Sequence, residues 1–315
     1  MADKPINPIV NVTPAQCETV LESWLGEHKP CTGVRRLTGG CVNTVLEVAY
    51  GDDDSCVVFK VSHETQDEKL ESEFNVLKHY RDRAACFPLP EPLHCDISGA
   101  ALPYSYMVME RLPGDNMGDA SMWMSGSDRR GIDRAVGETV AELHTCTREK
   151  FGDALTGGTD APWCEYFRDT FILKEYRDNE KIGLVSADAM RTIRSIIDRL
   201  DTLLDVPGAA TLVHGDVWAT NIMIDRDPAR LVGYLDPNGR YCHTEFELAY
   251  LEIWSTVGRD FFDAYTARHT LLDGYPLRRA IYWLYTFLQH VRAFKTRNYA
   301  GAAEQLAAQL KAVVG

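Results

Sequence analysis

The sequence predicts an α+β protein of two lobes, a small β-rich N-lobe followed by a larger, mainly helical C-lobe. Three observations carry this reading. The chain has 315 residues, enough for about two ordinary domains. Short β-like runs fill much of the first 110 positions, whereas helical spacing dominates afterwards. Between them, Arg111-Leu112-Pro113-Gly114 is a turn-rich joint. The predicted organisation is an N-lobe over 1–110, a linker over 111–118 and a C-lobe over 119–315. Such a layout suits a ligand held in the cleft between lobes.

Each element has its own warrant. Thr13-Pro14 is a capping hydroxyl followed by proline in a first turn, and Val20, Leu21 and Trp24 follow at helical spacing. Val34 to Leu37, Thr44 to Tyr50 and Ser55 to Ser62 read as strands, the last two joined at Gly51-Asp52-Asp53-Asp54. A charged helix is predicted from about Gln66 to Arg81. Pro88, Pro90 and Pro92 break the pattern after it, and Tyr104 to Glu110 reads as another strand. In the C-lobe, Val136, Val140 and Leu143 mark a helix over Ile132 to Thr145. Ser186 caps a second, whose apolar stripe runs from Met190 to Leu204. Brief β runs at Thr211 to Val213, Ile222 to Ile224 and Leu231 to Leu235 interrupt the helices, which resume to the end, most clearly from Pro276 to Phe294.

Composition narrows the function. Hydrophobic residues at 45% and charged residues at 25% argue against disorder. A formal charge of −13 repels a phosphate backbone and an anionic bilayer, so neither nucleic acid nor membrane is an expected partner. No uncharged run is longer than that from Ile97 to Met109, which falls short of the roughly 18 residues that span a bilayer. The N-terminus has no basic start with an apolar stretch behind it, so a cytoplasmic protein is expected. Nine cysteines without a C-x-x-C pair suggest neither a zinc ribbon nor a secreted disulfide framework.

The chemistry concentrates in Leu212 to Asp225. His214, Gly215, Asp216, Trp218 and Asn221 lie between two β runs, hence on a loop, and Asp236 ends a third β run. Phosphoryl transfer needs a carboxylate to accept the hydroxyl proton and oxygen ligands for magnesium, and Asp216, Asn221 and Asp236 supply these parts. The spacing of five from Asp216 to Asn221 matches the kinase catalytic loop. A polar turn explains one or two such residues but not the set. Gly39-Gly40 falls between β runs, where backbone N–H groups can cover phosphates, although a plain hairpin turn has the same composition. Lys60 is a charge inside an apolar strand and needs a partner, with Glu73 and Glu71 on the next helix as candidates. Tyr106 to Gly114 runs apolar strand into joint, where Met109, Glu110 and Leu112 are placed to line an adenine pocket, or serve only as core.

These residues resemble a known group. His214-Gly-Asp-x-Trp-x-x-Asn221 is similar to the signature of the fructosamine kinase (ketosamine 3-kinase) family, in the aminoglycoside phosphotransferase-like branch of the protein-kinase-like fold. Leu37 to Asn43 resembles its glycine-rich loop, Val58 to Val61 its lysine strand, and Glu73 to Leu77 the start of its glutamate-bearing helix. Asp236 to Ala249 resembles its DPAxYYGHxExDLA segment, and Gly274 to His290 its C-terminal helical run. The chain departs from the pattern at Ala219-Thr220, in the stretch after Phe151-Gly152, and at Asn238-Gly239-Arg240, which replaces small and aromatic residues. The departures leave the phosphoryl-transfer residues in place and concern the acceptor.

The resemblance implies an ATP- and Mg2+-dependent kinase acting on a sugar hydroxyl of a ketosamine, free or on a glycated protein. It implies Asp216 as base and Asn221 and Asp236 as metal ligands. Gly39, Gly40, Cys41, Asn43, Lys60, Glu73, Met109, Glu110 and Leu112 fall on the nucleotide side. Trp218, His214, His243 and Glu245 are candidates on the substrate side, the histidines with loop bracing as the alternative. Cys41 is also a candidate redox residue, and a disulfide through it would turn a monomer into a homodimer. Two rivals stand beside this reading: a kinase of the same fold acting on an aminoglycoside, choline or another small alcohol, and a non-catalytic nucleotide-binding redox sensor.

Overall fold

The structure, a computed structural model, describes residues 8–37, 42–52 and 55–314. The first elements are α1 (Pro14–Leu25), β1 (Cys31–Arg36), β2 (Thr44–Tyr50), β3 (Ser55–Val61), α2 (Glu68–Arg83), β4 (Pro92–Asp96), β5 (Tyr106–Glu110), β6 (Asp115–Asn116), α3 (Met117–Ala120) and α4 (Gly126–Leu143). There follow β7 (Thr147–Arg148), β8 (Gly152–Asp153), α5 (Trp163–Phe167), a π-helical turn over Arg168–Ile172, α6 (Leu173–Ile182), α7 (Ala187–Ile197), α8 (Leu200–Leu203) and β9 (Ala210–Val213). The chain closes with β10 (Ile222–Arg226), β11 (Ala229–Tyr234), β12 (Arg240–Cys242), α9 (Thr244–Ile253), α10 (Arg259–Tyr265), α11 (Tyr275–Phe294) and α12 (Arg297–Val314). Two compact units result. One takes the described residues up to Asp128 together with Ala219–Asn238, the other Arg129–Trp218 together with Gly239 onward.

In the first unit, α1 starts where Thr13 and Gln16 cap each other reciprocally, side chain to backbone. The antiparallel sheet runs β1-β2-β3-β5-β4. Its period of two sorts side chains onto two faces. Val57, Phe59 and Val61 of β3 join Cys17, Val20 and Leu21 of α1 in one core. Val58, with Met107 and Met109 of β5, meets Leu70 and Leu77 of α2 in the other. The charged helix ends at Arg83, ahead of the prolines expected to break it, and Pro92 opens β4 as the first residue of an edge strand, where its missing N–H is tolerated. A second small sheet, β11-β10-β6, completes this unit. Gly114 has φ +89°, and a Cβ there would run into the carbonyl of Ile224 on β10, so glycine is what lets β6 pair.

The second unit is mainly helical. Its small sheet runs β7-β9-β12-β8, and α11 packs on α6, α9 and α12. Trp163, Phe167, Phe171, Phe246, Tyr282 and Tyr285 form its aromatic centre, with ring centroids 5.0–6.4 Å apart among contacting pairs. The helix predicted from Ile132 begins at Gly126, because Ser125 and Asp128 cap each other ahead of the first apolar turn. The single helix predicted from Ser186 to Leu204 stops at Ile197, and α8 separately buries Leu200 and Leu204.

Candidate active site

The nucleotide-side candidates lie in the first unit. Lys60 shares the face of β3 that meets α2, and the spacing Leu70–Glu73–Leu77 puts Glu73 on the buried stripe of that helix. Lys60 Nζ therefore meets Glu73 Oε1 at 2.5 Å, and also Asp236 Oδ1 at 3.0 Å. Of the two glutamates left open by the sequence, Glu73 is the partner; Glu71 is exposed. Burial pulls the Lys60 ammonium down, but the Asp236 and Glu73 carboxylates outweigh it and hold the group above the usual lysine range. Lys60 is therefore a fixed cation.

The β10–β11 hairpin brings the two metal candidates to one place. Ile222 pairs with Tyr234, and the Leu235 N–H donates to the Asn221 carbonyl at 2.8 Å, so Asn221 and Asp236 leave the hairpin at the same end. Asn221 is buried at the end of a 3-10 turn. Asp236 is half exposed with φ +57°, a left-handed conformation uncommon outside glycine and typical of constrained functional positions. One amide oxygen and one carboxylate are hard donors that suit Mg2+, which keeps waters and takes its remaining ligands from phosphates. Asn43 Oδ1 is buried with no hydrogen-bond partner among the described residues. Met109 is buried in the core facing α2, the Glu110 carboxylate accepts from the Glu91 N–H, and the Leu112 carbonyl accepts from Arg111. Gly39, Gly40 and Cys41, the latter including its redox role, lie outside the described residues.

The acceptor-side candidates lie in the second unit. Buried strand β9 delivers His214, Gly215 and Asp216, with Gly215 at φ +80°. The His214 ring is fully buried, and its Nδ1 accepts from the Asp216 N–H at 3.2 Å. Glu247 accepts the Gly215 N–H at 2.6 Å through one oxygen and meets His144 Nε2 at 2.9 Å through the other. His144 Nδ1 meets the Tyr265 hydroxyl at 2.8 Å. The loop that carries Asp216 is thus anchored from α4, α9 and α10. Asp216 itself receives the Tyr250 hydroxyl on Oδ1 at 2.6 Å. Burial and then the Asp216 charge push the Tyr250 phenol above its ordinary range.

Of the substrate candidates, Trp218 is half buried. His243 caps α9, accepting the Glu245 N–H at 3.3 Å, and its other nitrogen faces the Pro207 carbonyl at 3.4 Å. Burial holds its imidazole below the usual range. Both oxygens of Glu245 are taken by Arg278, at 2.6 and 2.7 Å, in a buried pair. Sequence reasoning missed Tyr250, His144 and Arg278. Their signal was weak, because the partners that give them a role lie 33 to 121 residues away in sequence.

The fructosamine kinase family model matches residues 14–312. Protein-ribulosamine 3-kinase, chloroplastic, of Oryza sativa subsp. indica is 25% identical over 304 residues, covering 90% of this chain and 82% of its own length. A candidate fructosamine-3-kinase from Thermobifida fusca YX-ER1 has a solved structure that matches with a TM-score of 0.74 at 20% identity, over 95% of this chain and 98% of its own. A thermostable mutant of an aminoglycoside phosphotransferase, solved with AMP-PNP and hygromycin B, gives 0.64 at 17% identity, over 94% and 97%. The two structures establish the protein-kinase-like α+β fold. With its family model matched over almost the whole length, the chain belongs to the fructosamine kinase family.

Proposed function

We propose that this protein is an ATP-dependent ketosamine kinase, transferring a phosphoryl group to a sugar hydroxyl of a small sugar-amine or of a glycated protein. The observation that carries the reading is the arrangement of the described candidates for phosphoryl transfer: a lysine clamped by Glu73 and Asp236, an Asn221–Asp236 pair at one hairpin end, and a braced Asp216. Its ribulosamine 3-kinase relative supports the ketosamine acceptor.

When bound, ATP supplies the phosphoryl group and Mg2+ offsets its charge. Asn221 and Asp236 would hold the metal, and Lys60, oriented by Glu73, would contact the phosphates. Asp216 would accept the proton of the acceptor hydroxyl. Glu247 and His214 fix the backbone around Asp216, so its carboxylate is placed before the acceptor arrives. Trp218, flat and half buried two residues on, would stack on the sugar.

The test is coupled ADP release with Mg-ATP across a fructosamine, a ribulosamine, free sugars, an aminoglycoside and choline. Turnover confined to the ketosamines is expected. Turnover on the aminoglycoside or choline instead would move the acceptor assignment. Asp216→Asn is expected to lower kcat by at least about a hundredfold, the ordinary contribution of a general base; normal turnover in that variant would refute its role.

A further inference from the structure

Arg240, at the start of β12, is held unlike every other arginine that is buried or half buried in its unit. Arg129, Arg168, Arg278, Arg279 and Arg292 each grip a carboxylate at 2.6–2.8 Å. Arg148 donates to three backbone carbonyls. Among the described residues, the Arg240 guanidinium makes a single side-chain hydrogen bond, 3.4 Å to the Tyr166 hydroxyl, and lies over the Phe171 ring at 5.4 Å. Asp153 pairs with it across the strands, but the Asp153 carboxylate turns to the N–H groups of Leu155 and Thr156. A guanidinium has five donors, and a half-buried one left with one long contact is costly until an anion completes it.

Its place gives that anion a purpose. Arg240 pairs with Val213, the last residue of β9, from which the chain runs directly into His214-Gly215-Asp216. Tyr285 lies within electrostatic reach of both Arg240 and Tyr250, the residue bonded to Asp216. Phe171, the ring beneath the guanidinium, sits in the π-helical turn, a distortion that recurs at binding sites.

We propose that Arg240 recognises an oxyanion carried by the acceptor, a carboxylate on the amine portion or a phosphate on the sugar, while the hydroxyl to be phosphorylated meets Asp216. This rests on the ketosamine-kinase reading. The planar fork of arginine matches either anion with two parallel hydrogen bonds, and the Phe171 and Tyr166 rings keep competing water from one side.

The experiment compares three acceptors with the full-length protein at saturating Mg-ATP: a fructosyl amino acid with a free carboxylate, its carboxamide, and that carboxamide phosphorylated on the sugar. Wild type is expected to favour one anionic acceptor over the neutral carboxamide by about tenfold in kcat/KM, and which one identifies the source of the anion. Arg240→Gln should erase that preference through KM while the neutral acceptor keeps its kcat, and Arg240→Lys should restore part of it. Equal use of all three acceptors by wild type would overturn the proposal, with no need of a variant. So would an Arg240→Gln protein that folds and loses turnover on all acceptors alike, which is the mark of a structural residue. A wild type silent on every ketosamine but active on another alcohol would sink the ketosamine reading, and this inference with it. Ketosamine turnover without anion preference sinks this inference alone.

Discussion

In the proposed mechanism Asp216 would be the base, and Tyr250 is the residue that holds one of its carboxylate oxygens. Its hydroxyl has one proton to give, and at 2.6 Å that proton goes to Asp216. A hydrogen bond donated to a carboxylate favours the charged form, and its removal makes the group harder to ionise. Because burial and the Asp216 charge keep Tyr250 protonated well past neutrality, this donor persists across the working range. Tyr250→Phe should therefore move the acidic limb of the kcat/KM profile upward by about one pH unit, with a loss that grows toward acid pH and an unchanged KM for ATP. A uniform loss at every pH would mean that Tyr250 merely packs. At this scale, Asp216, Asn221, Asp236 and Lys60 were legible because each is a polar residue in a setting that punishes polarity, or part of a fixed spacing. Glu73 was legible in principle over Glu71, since only the former falls between Leu70 and Leu77 on the buried stripe. Tyr250 was not, because a tyrosine on a half-apolar helix signals core, and its partner is 34 residues away in sequence.

The hairpin of β10 and β11 turns two distant letters of sequence into one end of a structure. Antiparallel pairing from Ile222–Tyr234 to Arg226–Ala229 makes Asn221 and Asp236 neighbours as a consequence of register. That hairpin is held by β6, and β6 can approach only because Gly114 is bare. Gly114→Ala is expected to cost about 2 kcal/mol or more, from the positive φ and from the collision with the Ile224 carbonyl. Urea melts would show a lower midpoint, and catalysis should suffer along with stability as the hairpin shifts. An unchanged midpoint would mean that the 114–116 segment rearranges freely. Elements with a strong period were legible almost to the residue: Thr44–Tyr50 is β2 as read, and Pro14–Leu25 follows its predicted cap. Elements too short to show a period were not. β6, β7, β8 and β12 have two or three residues each, and only their partners define them as strands.

Taken whole, the molecule draws its candidate groups from two compact units, with Lys60, Glu73, Asn221 and Asp236 in one and Asp216, Tyr250 and Glu247 in the other. The chain passes from the second unit to the first between Trp218 and Ala219, and back between Asn238 and Gly239. Sequence order hides this, because segment Ala219–Asn238 sits amid helical neighbours in the chain yet pairs with β6 and packs with the earlier strands. The division makes nucleotide binding and proton transfer separable by mutation. A ligand that binds only the folded state stabilises it by about 2.7 kcal/mol at a hundredfold excess over its Kd. Mg2+ with a non-hydrolysable ATP analogue should therefore raise the melting temperature of wild type by several degrees. Asp216→Asn should keep that rise while losing turnover, since Asp216 belongs to the other unit and bonds Tyr250 there. Lys60→Met should lose the rise and also melt earlier without ligand, because Glu73 and Asp236 are then left beside each other without the cation that both face. Thermal melts of the three proteins with and without nucleotide decide the matter. If Lys60→Met retained the full rise, the lysine would be a structural ion-pair centre and the phosphates would have to be held elsewhere. If Asp216→Asn lost it, the two tasks would be coupled more tightly than their separate positions in the fold require.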